Sequence, residues 1–197
     1  MLRLSPGWAG IDEAGRGPIA GPVVVAGALV PAGFEAAGVN DSKRLNAERR
    51  EALYQRIVAD CRIEIEIVSW DEIDRVNILR ATLRGMRTVA DRLTSECEGF
   101  LIDGDKAPPG LANARCIVKG DGTWVAIAAA SIVAKVTRDR LMVQMAAQYP
   151  GYGFDRHFGY GTPEHLAALA RLGPCPIHRR SFAPIRPDDQ PCLILES

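Results

Sequence analysis

Two acidic residues stand side by side inside an apolar run, and few chain geometries tolerate that. Residues 8–30 read WAGIDEAGRGPIAGPVVVAGALV. The first apolar run ends at Asp12 and Glu13, a turn dense in glycine follows (Gly15-Arg16-Gly17-Pro18), and a second apolar run occupies 23–30. Both runs are short, partly β-branched and bounded by Gly and Pro. They predict two strands joined by a tight connection, and therefore antiparallel. Successive strand residues point to opposite faces, so Asp12 and Glu13 share one side only where the strand distorts or ends. Carboxylates in an apolar strand are costly to bury without a partner. A divalent metal suits them, with the glycines leaving room for a substrate backbone.

The rest of the chain supplies a frame for that stretch. Residues 31–43 form a loop in which Asn40-Asp41-Ser42-Lys43 is dense in hydrogen-bonding groups. Asn46 is placed as an N-cap, and 47–60 carries Leu53, Ile57 and Val58 at helical spacing. Ile63, Ile65 and Ile67 alternate with Glu64 and Glu66, which predicts a third strand with a wet polar face. A helix is expected over 71–91 with a break near Asn77, and Gly85 weakens it. Short strands follow at 99–103, ending in Asp103, and at 114–118. The longest helix, 123–148, is crowded with alanine in its first half and turns basic at Lys135, Arg138 and Arg140. Thr162-Pro163-Glu164 opens a last helix through Arg171. Strands that come first as a meander and then alternate with helices predict an α/β fold with a mixed sheet. If the fourth strand lies parallel to the first, Asp103 ends beside Asp12. Asp121, just before the long helix, would then complete a cluster of four carboxylates.

Bulk properties limit the partners. The 197 residues fit one domain, with a core over about 7–186 and a loosely held tail over 187–197. Lys+Arg and Asp+Glu are 24 each, so a nucleic-acid partner would have to be held by a local basic patch or through metal ions. The 5 cysteines are scattered without a C-x-x-C, which favours free thiols in a reducing cytoplasm over a disulfide framework or zinc site. The N-terminus lacks an apolar segment of the secretory kind. The longest apolar stretches are too short to span a bilayer, so no membrane partner is expected.

Each acid has a plainer reading as a turn or helix cap, Asp121 above all. Against that, Asp12 and Asp103 share a pattern, an acid at the end of a buried strand followed at once or soon by Gly, and ligands commonly bind off strand ends. Oxygen ligands without His or Cys point to Mg²⁺ or Mn²⁺, in the arrangement used for phosphoryl chemistry with two metals. Gly15-Arg16-Gly17 is either a turn needing positive φ or a backbone surface that meets a sugar–phosphate chain; no Walker lysine follows it. Lys43, Lys135 and Arg138 are candidate phosphate contacts or surface charges. Tyr160 fills a turn or stacks on a nucleotide. His157, His165 and His178 are too far apart for a local metal motif, and His165 reads as structural. Trp124 and Phe182 read as core or core edge.

Together these segments resemble the type 2 ribonucleases H, the ribonuclease HII family. The resemblance is carried by GIDEAGRGPIAGPVVVA at 10–26, NDSKRL at 40–45, LIDGD at 101–105, KGDGTWVAIAAASIVAKVTRD at 119–139, YGFDRHFGYGTPEH at 152–165 and HRRSF at 178–182, in family order. It implies an RNase H-like fold, a five-stranded mixed sheet flanked by helices with a helical C-terminal part. Asp12, Glu13, Asp103 and Asp121 become the catalytic, metal-binding acids. Gly15, Arg16 and Gly17 become the motif reading the 2′-hydroxyl at an RNA–DNA junction, with Tyr160 on the deoxyribose side and Lys43 on phosphate. The implied activity is cutting RNA in RNA–DNA hybrids and nicking 5′ of single ribonucleotides in duplex DNA, leaving 5′-phosphate and 3′-hydroxyl ends. The family usually has His-Lys-Gly-Tyr where this chain has His157-Phe158-Gly159-Tyr160, and Trp124 is unusual beside the fourth acid. The short run before the first motif favours type 2 over type 3. A monomer is expected. Gln190-Pro191-Cys192-Leu193 is no more than suggestive of a sliding-clamp peptide. The alternatives are a catalytically silent hybrid-binding module and another nuclease of this fold; the full acid set opposes the first and Gly15-Arg16-Gly17 the second.

Overall fold

The structure, a computed structural model, describes residues 2–36, 38–39 and 47–186. Lys43, the Asn46 cap and the tail over 187–197 lie outside the described residues. Five strands form one mixed sheet in the order β3-β2-β1-β4-β5. β1 (Trp8–Ala14), β2 (Val23–Leu29) and β3 (Arg62–Val68) make the antiparallel meander. β4 (Gly99–Asp103) and β5 (Ala114–Ile117) continue the sheet in parallel on the other side of β1. The helices are α1 (Ala47–Asp60), α2 (Trp70–Val76), α3 (Ile78–Leu93), α4 (Val125–Gln148), α5 (Phe154–His157) and α6 (Pro163–Leu172).

Alternation along the strands feeds two cores. Val24, Ala26 and Ala28 of β2 face α4, while Val23 and Val25 face α3. A third cluster at the C-terminal end joins Met142 of α4 to Tyr152, Phe154, Ala168 and Ile177. The break expected near Asn77 separates α2 from α3: Asn77 takes φ +71°, and its side chain accepts the N–H of Arg80 at 3.0 Å. α4 lies almost on the backbone of β1, because its first half is alanine and Gly10 offers no side chain. A Cβ on Gly10 would come within 2.1 Å of the carbonyl carbon of Ala126.

Three details differ from the sequence reading. The β1–β2 connection is not a tight hairpin turn but an eight-residue loop, 15–22. The polar face of β3 is paired rather than simply wet: Arg62 meets Glu64 at 2.7 Å and Arg92 meets Glu66 at 2.8 Å. Ile67, counted with the buried isoleucines, is 50% exposed, because β3 is an edge strand. Trp124 acquires a role as well. The carbonyl of Arg3 accepts the N–H of Val125 at 3.0 Å, closing the start of α4, and the Arg3 guanidinium sits 5.7 Å from the Trp124 ring centroid. Among the described residues, no helix is long and apolar enough to cross a membrane.

The contact between α4 and β1 is testable. Gly10→Ala should cost about 3 kcal/mol, the upper part of the range for an overpacked core. The measurement is the urea midpoint at constant m; a cost below about 0.5 kcal/mol, typical of a surface site, would contradict the close approach.

Candidate functional site

The parallel pairing of β1 with β4 sets Ile11 against Ile102. The next residue on each strand, Asp12 and Asp103, therefore lies beside its counterpart just past the last β1–β4 pair, with β1 still paired to β2 through Ala14. Both point to the α4 face. Glu13 points to the α3 face, yet it reaches the same cleft because the pairing of β1 with β4 has ended; the cleft is lined by all three acids with Gly15, Arg16, Gly17, Ser131, Lys135 and Tyr160. Asp12 is 5% exposed and its Oδ1 accepts the N–H of Glu13 at 2.7 Å. Burial raises its carboxyl well above the usual carboxylate range, and the charges of Glu13 and Asp103 push the same way; the Ser131 hydroxyl and the Glu13 N–H oppose them.

Asp121 is not among the residues lining that cleft. It lies on a single 3-10 turn, Gly120–Gly122, and is buried. That turn is tied to the cleft, since the N–H of Gly120 donates to Asp103 Oδ1 at 2.7 Å. Of the four acids expected from the sequence, three line the cleft, and the turn that bears the fourth is bonded to Asp103. Among the described residues, no three His, Cys, Asp or Glu side chains converge to hold an ion by themselves. The donor set is nonetheless all oxygen, concentrated in negative charge and open on one side. Mg²⁺ fits such a place, because it is commonly held by one or two carboxylates and completes its shell with water and phosphate oxygens.

Opposite the acids, two buried guanidiniums shape the loop over 15–22. Arg179 donates to the carbonyls of Gly15 (2.6 Å), Arg16 (3.0 Å), Gly21 (2.9 Å) and Pro22 (3.3 Å). Arg138 donates to those of Pro22 (3.0 Å), Ala20 (3.2 Å) and Phe158 (3.0 Å). Expected as a phosphate contact or surface charge on α4, Arg138 borders the cleft but is 1% exposed with its guanidinium occupied by backbone carbonyls, so the surface-charge reading does not hold. Burial lowers Arg138 to about 10 and Arg179 to about 9, the latter also through the charge of Arg138, so both remain cations near neutrality. In a trans peptide the C=O and the following N–H point opposite ways. With the carbonyls of Gly15 and Arg16 turned in to Arg179, the N–H groups of Arg16 and Gly17 are turned away from it.

The two glycines serve different ends. Gly15 has φ +97°, and a Cβ there would meet Arg138 Nε at 2.0 Å and the Pro22 carbonyl oxygen at 2.8 Å. Gly17 is not left-handed, and its Cβ direction meets only the Tyr160 ring, at 3.6 Å. Tyr160 is 45% exposed over that spot. Arg16 reaches Glu13 at 3.2 Å and is half exposed. Lys135 pairs with Asp139 at 2.7 Å and stands 4.9 Å from the centroid of the Phe158 ring. Phe158 thus provides an aromatic seat for the lysine on the cleft rim.

Sequence reasoning missed Ser131, Arg179 and the joint role of the histidines. Arg179 holds carbonyls 157 to 164 positions away along the chain, a separation that no local pattern reports. The three histidines, distant in sequence, pack together: His157 stacks on His165 at 4.4 Å, and His165 Nε2 meets His178 Nε2 at 3.0 Å.

A family model described as Ribonuclease HII matches residues 9–185. A ribonuclease HII of Parvibaculum lavamentivorans is 54% identical over 90% of this chain, which spans 66% of that relative's length. Ribonuclease H2 from Pyrococcus horikoshii superposes with a TM-score of 0.72 at 27% identity, covering 90% of this chain and 94% of that one. The structure of a PCNA:RNase HII complex from Archaeoglobus fulgidus gives a TM-score of 0.71 at 31% identity, covering 83% and 86%. The fold is therefore RNase H-like, as the resemblance implied.

The unequal roles of the glycines separate in stability. Gly15→Ala should cost about 2 kcal/mol or more, from left-handed strain and the clash with Arg138. Gly17→Ala should stay within about 0.5 kcal/mol of the parent. Equal losses in thermal or urea unfolding would contradict the assignment.

Proposed function

The chain belongs to the ribonuclease HII family, and on that premise we propose that it is a metal-dependent endoribonuclease. It cuts the RNA strand of RNA–DNA hybrids and nicks duplex DNA on the 5′ side of single embedded ribonucleotides, leaving 5′-phosphate and 3′-hydroxyl ends. The observation that carries this reading is the placement of Asp12, Glu13 and Asp103 along one cleft with residues 15–17 and Tyr160. Acids that favour a divalent ion and backbone donors that favour a sugar–phosphate chain share one opening.

Asp12, Glu13, Asp103 and Asp121 would hold Mg²⁺ or Mn²⁺. The ion supplies charge neutralisation at the scissile phosphate and activation of the attacking water. The protein's own groups select and place the strand. The N–H groups of Arg16 and Gly17 meet the ribose, whose 2′-hydroxyl both donates and accepts. Gly17 keeps that approach close, and the exposed ring of Tyr160 packs on the neighbouring deoxyribose. Arg16 and Lys135 on the rim, with Lys43, offer charge to the phosphates. Arg138 contributes through the loop it supports.

The enzyme is proposed to work as one catalytic domain and as a monomer, in the cytoplasm. The free thiols of Cys61, Cys97, Cys116 and Cys175 suit a reducing compartment. A sliding-clamp partner, by analogy with the Archaeoglobus complex, is a further part of the proposal; the segment over 190–193 that bears on it lies outside the described residues.

Two measurements test this reading. On a duplex with one embedded ribonucleotide, cleavage should need Mg²⁺ or Mn²⁺ and stop with chelator. Asp12→Asn should lower turnover roughly a thousandfold, as expected when several kcal/mol of charge stabilisation is lost, with duplex affinity retained. Near-parental turnover would remove Asp12 from the acid set. Tyr160→Ala should lower kcat/KM on the single-ribonucleotide duplex about tenfold more than on a continuous hybrid, a difference of about 1.4 kcal/mol. An unchanged ratio would reject the junction-reading role of the ring.

A further inference from the structure

Behind Tyr160 lie three histidines with no part in the chemistry above. His165 is 0% exposed, His178 1% and His157 7%. Every ring nitrogen among them has a partner, and the partners dictate the protons. The carbonyl of Tyr160 can only accept, so His165 Nδ1, at 2.9 Å, must carry a hydrogen. His178 Nδ1 meets the N–H of Cys175 at 2.9 Å, its Sγ at 3.1 Å and its carbonyl at 3.2 Å; that carbonyl already accepts the His178 N–H at 3.0 Å, and the bare Nε2 of His165 needs a donor, which makes His178 Nδ1 the acceptor. His178 Nε2 then carries its ring's hydrogen and donates to His165 Nε2 at 3.0 Å. His157 is settled in the same way: Nδ1 accepts from the N–H of Gly159, and Nε2 donates to the carbonyl of Tyr152 at 2.8 Å. One neutral tautomer per ring satisfies the whole set.

These rings connect the two elements assigned to reading the substrate. Tyr160 lies between Gly159 and Gly161, so the chain around it has little stiffness of its own. Its backbone is held by the His157 carbonyl on its N–H (2.9 Å), and by Thr162 N–H (2.8 Å) and His165 Nδ1 (2.9 Å) on its carbonyl. His178 sits on the segment that frames the loop over 15–22: the N–H of Gly21 donates to the Ile177 carbonyl and that of Arg179 to the Ile19 carbonyl, both at 2.9 Å. The next residue along, Arg179, grips Gly15 and Arg16.

We infer that His165 and His178 are positioning residues, whose ring-to-ring hydrogen bond fixes Tyr160 relative to residues 15–17. The inference rests on the proposed reading of those residues as the ribonucleotide-recognition surface. It adds two side chains that never touch substrate and hold the spacing between the ring and the loop. Burial and the neighbouring imidazole of His165 lower His178 to about 4, so the neutral pair persists through the physiological range. Packing alone would place two rings in contact; it would not require this proton arrangement.

The test reads the free protein first. In the ¹⁵N-labelled chain, a scalar coupling between His178 Nε2 and His165 Nε2, with one tautomer for each ring, is expected; its absence, or rapid tautomer averaging, overturns the inference without any variant. His178→Phe keeps a ring and removes the donor. It should speed amide exchange at Tyr160 by about tenfold, and His178→Gln, which restores an N–H at that position, should recover most of the protection. Unchanged exchange in folded His178→Phe also overturns the inference. In cleavage assays His178→Phe should shift the ratio of kcat/KM for single-ribonucleotide and hybrid substrates in the direction of Tyr160→Ala, and should add little to Tyr160→Ala in the double variant. An unchanged ratio in Tyr160→Ala itself would defeat the junction reading, while the coupling and exchange results would still decide the positioning role.

Discussion

Two guanidiniums buried under one loop set the form of the chain over 15–22. A buried cation is costly unless its hydrogens are satisfied. Arg138 and Arg179 meet that cost with backbone carbonyls, three for the first and four for the second. Lysine could not replace either one, because its single ammonium cannot span acceptors spread across a loop as a planar five-donor fork does. The consequence reaches the surface through peptide geometry: carbonyls drawn inward leave the N–H groups of Arg16 and Gly17 facing away. The same two side chains tie the loop to the segments bearing Phe158 and His178, so the distance from Gly17 to Tyr160 is set from below.

The acids owe their meeting to sheet topology. β1 pairs antiparallel with β2 on one side and parallel with β4 on the other, and Asp12 and Asp103 are neighbours just past the last pair of the two parallel strands. Ligand sites in α/β sheets favour such strand ends. Close packing of α4 brings Ser131 to Asp12, and that contact needs Gly10 and the alanines of α4. Core and site are therefore one problem: the small residues that let the helix sink also deliver a hydroxyl to the most buried acid.

Charge is sorted locally although the chain is neutral overall. Three carboxylates line the cleft together with Arg16, which pairs with Glu13, and Lys135, which pairs with Asp139. Lys135 is held by Asp139 and by the face of Phe158, where a cation gains from the ring quadrupole. Phe158 thus steadies a neighbouring lysine on the cleft rim. Trp124 belongs to a different task, receiving Arg3 where the N-terminal segment closes the start of α4.

Much of this was legible in the residues themselves. The three-stranded meander, the break at Asn77, the span of α1 and the candidates Asp12, Glu13, Asp103 and Tyr160 follow from period, caps and apolar runs, which are local properties of the chain, whereas the pairing of β4 with β1 was only a condition of the reading. The motif spacing named the family for the same reason. Local pattern could not show that Arg138 faces inward, because a lone arginine on a helix reads as surface until the loop beneath it is placed. Nor could it show that Gly15 is packed against Arg138 while Gly17 opens toward Tyr160, since both are glycines in one turn. Arg179 and the three histidines were the least accessible, because their partners lie far off along the chain and meet only when the sheet, α4 and α6 have packed. Short-range geometry determined which elements form; long-range packing decided which buried polar groups satisfy one another, and hence how the site is held.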